Sequence, residues 1–303
     1  MAKTKSSAGL GGFFVVLAGM LWGTTGLFID QLNGAGLSAM QICELRAVLT
    51  GLVMLLLTVC INPNLLRIRF VDIWIFLGSG VGSILFFNYC YFNAIHESGM
   101  AVAATLLYTA PVFVMLLSLP LFGEKITGRK VVSLIMTVAG CVLVSGLLTS
   151  GGSFTKEGVL YGIGAGFGYA LYSIFTRYAI RRGYDSLTIT TYTFLIASVG
   201  GLFLTDFRQI TTATVAGGAE LWLLLVGYAM ITTVAPYLLY TNGLRHIENS
   251  KASVMAAVEP ACATLLQILV LRKFPGIIPT VGIVLVLTAI IVLNTGKRSK
   301  QKS

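Results

Sequence analysis

The stretch VMAAVEPACATLLQILVL (Val254–Leu271) has the apolarity of a membrane-crossing helix, yet it sets an acid, Glu259, directly before a proline, Pro260. An ionised side chain at mid-bilayer costs roughly 2.5–3.5 kcal/mol on insertion scales. A proline removes a helical hydrogen bond, here the one owed to the carbonyl of Ala256. Glu259 falls about ten residues into its apolar run, which at ~1.5 Å per residue is near the bilayer midplane. An acid at that depth must face a wet cavity or a partner. A structural carboxyl bonded to a neighbouring helix is the plainer alternative.

The rest of the chain supports a membrane setting. Of 303 residues, 56% are hydrophobic and 11% charged, against about a quarter charged in soluble domains. Apolar runs near the ~20 residues needed to cross a bilayer fill almost the whole length, at 10–29, 39–60, 71–94, 99–122, 129–148, 158–180, 188–207, 219–241, 250–271 and 276–295. The expected fold class is an all-α polytopic membrane protein with ten transmembrane helices. No connection between the runs is long enough for a soluble domain.

The net charge of +10 does not call for a nucleic-acid partner, because its placement follows the positive-inside rule. With both termini cytoplasmic, sixteen Lys and Arg fall on the inner side and four, Lys156, Arg208, Arg272 and Lys273, on the outer. Arg46 falls inside a span. The five cysteines sit in or beside apolar runs without CxxC spacing, and the two histidines, His96 and His246, lie in loops. Neither a disulfide framework nor a metal site is expected. No Ser–His–Asp set, acid pair or HExxH speaks for an enzyme. The glycines of YGIGAGFGY (Tyr161–Tyr169) lack the Lys and Ser/Thr of a phosphate loop and read as helix-packing positions.

An internal repeat sets the organisation. YFNAIHESGMAVAATLLYTAP (Tyr91–Pro111) and YTNGLRHIENSKASVMAAVEP (Tyr240–Pro260) align without a gap at Tyr91/Tyr240, Asn93/Asn242, Ala103/Ala252 and Pro111/Pro260. Residues 1–150 therefore form a first five-helix repeat. Residues 151–303 form a second one, with a basic cytoplasmic tail. Five is odd, so the second repeat enters the membrane inverted, an arrangement typical of secondary transporters.

Candidate site residues follow from depth and chemistry. Ala252, Ala256, Glu259, Ala263 and Gln267 would share one face of a continuous helix. Trp22, Thr25, Asn88, Tyr91, Tyr108, Tyr172 and Tyr240 would add aromatic walls with a few polar groups, the usual form of a small-molecule pocket. Tyr and Trp also form interfacial belts, the alternative for any one of them. Arg46 could attract an anionic substrate group, tie two helices together, or snorkel to the interface. Pro111, Pro236 and Pro260 free the carbonyls of Leu107, Thr232 and Ala256 and mark hinges.

LWGTTGLFI (Leu21–Ile29), LYTAPVFVMLLSLPLFGEKITGRKVVSLIMTVAG (Leu107–Gly140) and SKASVMAAVEPACATLLQILVL (Ser250–Leu271), in this order and duplicated, resemble the EamA family of the drug/metabolite transporter superfamily. The resemblance implies a ten-helix secondary transporter of the cell membrane, expected in a bacterium, exporting amino acids or related metabolites by alternating access. It implies a small-molecule substrate, with a proton or counter-substrate as possible co-partner, the lipid bilayer as setting, and no cofactor. Efflux of drugs or cationic amines is the alternative function, and a non-transporting metabolite sensor a more distant one. The chain departs from the family pattern where the second repeat carries Arg272 and Lys273 in place of the Gly123–Glu124 pair of the first.

Overall fold

The computed structural model describes residues 2–150, 154–272 and 276–295, and among them every regular element is helical. The first repeat runs through α1 (Ala2–Trp22), α2 (Thr25–Gly34), α3 (Ala39–Ile61), α4 (Ile73–Leu77), a π-helical segment over Gly78–Leu85, α5 (Phe86–Ser98), α6 (Met100–Leu107), α7 (Ala110–Phe122), α8 (Gly128–Val144) and α9 (Leu147–Ser150). The second contains α10 (Lys156–Arg181), α11 (Ser186–Gly201), α12 (Phe207–Ala229), a π-helical segment over Met230–Val234, α13 (Ala235–Leu244), α14 (Asn249–Ala256), α15 (Glu259–Leu271) and α16 (Ile277–Asn294). Helix starts carry their own chemistry. Ser38 and Gln41 form a reciprocal capping box on α3, and the side chains of Thr127, Thr155, Asp185 and Asp206 accept from the first turns of α8, α10, α11 and α12.

Eight helical stretches among the described residues are long and apolar enough to cross a membrane. Two further expected spans are shorter: α8 has 17 residues and α11 has 16, so each rises only ~25 Å against a hydrocarbon core of ~30 Å. Both are nonetheless integral to the bundle, α8 packing on α16 and α11 on α3. The basic tail expected after α16 lies outside the described residues.

The repeat seen in the sequence recurs in the backbone. α14 begins and ends 149 positions after α6, α15 does the same relative to α7, and the two π-helical segments end at corresponding residues, Leu85 and Val234. Spans four and nine are each broken at the same place, over Tyr108–Thr109 and Ala257–Val258, just ahead of Pro111 and Pro260. The break corrects one expectation: Ala252 and Ala256 sit on α14 and Glu259 on α15, so the five residues do not share the face of a continuous helix.

The correspondence extends to Gly123 and Arg272, the residues that end α7 and α15. Both are left-handed, with φ of 68° and 52°. Gly tolerates that conformation, whereas Arg272 is the one non-glycine among the described residues to adopt it, at a cost of about 1 kcal/mol. Arg272→Gly is expected to raise the thermal midpoint of the detergent-purified protein.

Close approach between helices rests on glycine. A Cβ on Gly140 would stand 2.8 Å from the carbonyl oxygen of Gly282, and one on Gly282 would stand 2.6 Å from that of Gly140. α8 and α16 thus touch backbone to backbone. The α10 glycines behave as expected of packing positions, Gly162 and Gly166 meeting Leu106 and Thr109, and Gly168 meeting the backbone of Phe87.

Candidate functional site

Broken helices place the site. α1 and α2 part at Gly23–Thr24, where the Thr24 hydroxyl bonds back to the carbonyl oxygen of Leu21 at 2.7 Å. Irregular backbone of this kind is tolerated at membrane depth where it is buried in protein or borders a cavity. Trp22 closes α1 and turns inward, 8% exposed. Its ring lies 5.3 Å from that of Tyr237 and 5.4 Å from that of Tyr240, both edge-on or tilted.

Around these rings lies a narrow pocket lined by Trp22, Ser83, Phe87, Tyr169, Tyr172, Ser173, Tyr237 and Tyr240. Several of its hydroxyls are paired within the protein. Tyr172 pairs with Thr241 at 2.8 Å and Ser173 with Tyr240 at 2.7 Å, fastening α10 to α13. A second narrow pocket is lined by Leu107, Tyr108, Pro111, Tyr169, Ser253, Ala256 and Glu259. Tyr169 borders both, so the two pockets are adjoining lobes of one region.

Glu259 occupies the second lobe. Among the described residues its carboxylate has no hydrogen-bond or ion-pair partner, and Tyr91, Tyr108, Tyr169 and Tyr237 lie within its electrostatic reach. The structural-acid alternative, a carboxyl bonded to a neighbouring helix, finds no bond here. Tyr91 stands outside both lobes, its ring stacked at 5.8 Å on Phe87, a residue of the first.

Arg46 does not snorkel to the interface. It reaches into the bundle, where Nη1 approaches the Tyr228 hydroxyl at 3.5 Å, Nη2 approaches the Cys43 sulfur at 3.8 Å, and the guanidinium lies 5.6 Å from the Tyr228 ring centre. Its Nε is buried without a hydrogen-bond partner, and no carboxylate pairs with it among the described residues. Glu44, two residues earlier, turns the other way and buries its carboxyl against Gly201.

Two further expected site residues, Asn88 and Thr25, line neither lobe. Asn88 is buried, donates to the carbonyl oxygen of Ile84 at 2.8 Å and accepts from Cys43 at 3.4 Å, linking α5 to α3. Thr25 opens α2 and lines neither lobe. Pro236 follows the π-helical segment and turns Tyr237 into the site. Tyr237 is a site residue that sequence reasoning misses. Its proximity to Pro236 is the available signal, and only the packing of α13 against α1, α10 and α11 shows that it faces inward.

Comparison with known proteins fits this architecture. A model of the EamA-like transporter family matches the chain twice, over residues 9–146 and 156–295. The chain belongs to the EamA-like transporter family. An Archaeoglobus fulgidus protein named "Uncharacterized transporter" is 29% identical over 252 residues, covering 83% of this chain and 84% of its own. The Bacillus subtilis "Uncharacterized transporter YxxF" is 28% identical over 209 residues, 68% of this chain and 65% of that one. A solved crystal structure superposes with a TM-score of 0.78 over 95% of this chain and 96% of the other, at 20% identity, a likeness of fold alone. This EamA-family chain is therefore an integral membrane protein built from two family repeats. Its apolar helices and inward-facing polar groups are those of a transporter.

Proposed function

We propose that this EamA-family protein is a secondary transporter that exports amino acids or related zwitterionic metabolites across the cell membrane by alternating access. The observation that carries the reading is a pair of ionisable groups inside the bundle without an ion-pair partner among the described residues. Glu259 lines the second lobe, and Arg46, which lines neither lobe, reaches into the bundle beside Tyr228. An unpaired charge in low dielectric is costly. A ligand carrying an ammonium and a carboxylate would neutralise both, its ammonium toward Glu259 and its carboxylate toward Arg46, across a floor of aromatic rings.

Ten spans in two inverted repeats, with both termini cytoplasmic, give that cavity access from either side. The positive-inside count supports the orientation, and the shared helix breaks at Pro111 and Pro260 supply equivalent hinges in the two halves. The lobes are narrow in this conformation, as an occluded state of such a cycle would be.

A cationic amine would satisfy Glu259 and the rings but would leave Arg46 facing its positive charge. Thermal stabilisation separates the two readings, because a ligand that binds the folded protein raises its apparent stability by mass action. The purified protein is expected to be stabilised by one or more free amino acids and not by their decarboxylated amines. Stabilisation by amines alone would overturn the zwitterion reading. Uptake of the stabilising amino acid into proteoliposomes by counterflow then distinguishes carriage from simple binding.

A further inference from the structure

One carboxylate outside the pocket spans the two repeats. Glu124 follows the left-handed Gly123 at the end of α7, and its side chain is only 9% exposed. It accepts from the backbone N–H of Asn249 at 2.7 Å, from that of Ser250 at 3.2 Å, and from the Ser250 hydroxyl. These donors are the first residues of α14, the half-helix that leads to Glu259. Lys130, 4% exposed, binds Glu124 at 3.4 Å and Glu248 at 2.7 Å. Arg177 of α10 donates to the Asn249 side chain and to the Ile247 carbonyl oxygen, and Arg181 donates to the carbonyl oxygen of Phe122 at 3.0 Å. A carboxylate on a helix N-terminus is favoured by the dipole and by charge-assisted hydrogen bonds.

The repeat offers a built-in comparison. The mate of α14 is α6, at the other end of the bundle. Its N-cap, Gly99, has no side chain to accept from the helix. The sequence mate of Glu124 is Lys273, which lies outside the described residues.

We infer that Glu124 is a latch: it holds the basic, cytoplasmic mouth shut by gripping the N-terminus of α14. Opening inward requires α14 to leave Glu124, giving up the bonds to Asn249 and Ser250. Glu124 touches no pocket residue directly except through α14, so it is a positioning residue of the transport cycle. The inference takes alternating access from the function proposed above and adds which mouth is held shut and by what.

The test uses paired cysteine probes in an otherwise cysteine-free background. Ser253→Cys on α14 and Ala104→Cys on α6 are repeat mates, one on the cytoplasmic half of the cavity and one on the outer half. Labelling by a membrane-impermeant maleimide is followed from each side in right-side-out and inside-out vesicles. Glu124→Gln is expected to raise cytoplasmic labelling of Ser253→Cys about tenfold and to lower outer labelling of Ala104→Cys. A rise at both probes would mean that Glu124 merely stabilises the fold, and unchanged labelling would mean that it holds nothing shut; either result overturns the latch. Ser250→Ala, which removes one donor, is expected to give a smaller shift of the same pattern and serves if Glu124→Gln does not fold. No substrate is needed, so failure here is separable from failure of the zwitterion reading, which rests on ligand stabilisation.

Discussion

Glu259→Gln is expected to abolish most transport while leaving the fold intact. The carboxylate lines the second lobe beside Tyr108 and Tyr169 and engages no other side chain among the described residues, so its replacement by an amide of the same shape breaks no internal bond. Losing one partner of a desolvated charge pair with substrate costs about 2–5 kcal/mol, which lowers transport efficiency about 30-fold or more. Counterflow in proteoliposomes measures the loss, and a thermal melt of the same preparation checks that Tm is kept. A variant that transports at the wild-type rate would return Glu259 to a structural role. A variant that binds ligand normally but transports no longer would make the carboxylate a carrier of the coupling proton.

The largest loss of stability is expected from Gly282→Leu. A first side-chain carbon there already falls 2.6 Å from the Gly140 carbonyl oxygen and 2.8 Å from carbons of Leu143 and Val144. Backbone atoms cannot rotate away as a side-chain end can, so α8 and α16 must separate. Overpacking of this kind costs about 1–3 kcal/mol or more, and Tm in detergent should drop by about 5 °C. Gly128→Ala is the control on the same helix pair, since a Cβ there meets nothing within 4 Å, and its Tm should stay close to that of wild type.

Much of the fold is legible in the chain itself. Apolar length places the spans, and the gapless match between Tyr91–Pro111 and Tyr240–Pro260 locates helix breaks that recur 149 residues apart. Proline makes those breaks legible, because a missing N–H acts on its own helix without help from a neighbour. The spans expected over α8 and α11 are harder to measure, since polar caps and connecting turns take up residues that a hydropathy window counts as helix. Trp22, Tyr172 and Tyr240 are recognisable as pocket residues by depth and aromatic character, and the structure gathers them into one lobe.

What the chain determined by itself is thus local or periodic: apolar lengths, proline breaks, the repeat and the sign of each loop. What tertiary structure decided is which way a side chain turns once helices touch. Arg46 and Asn88 have similar standing in the sequence, yet one places a guanidinium over the Tyr228 ring while the other spends its amide on Ile84 and Cys43. Glu124 lies in a loop, where the family pattern marks it but names no partner until α14 brings Asn249 and Ser250 to it across 125 residues of chain. Hydrogen bonds and ion pairs depend on distances of a few ångströms between segments far apart in sequence, and only the packed bundle sets those distances.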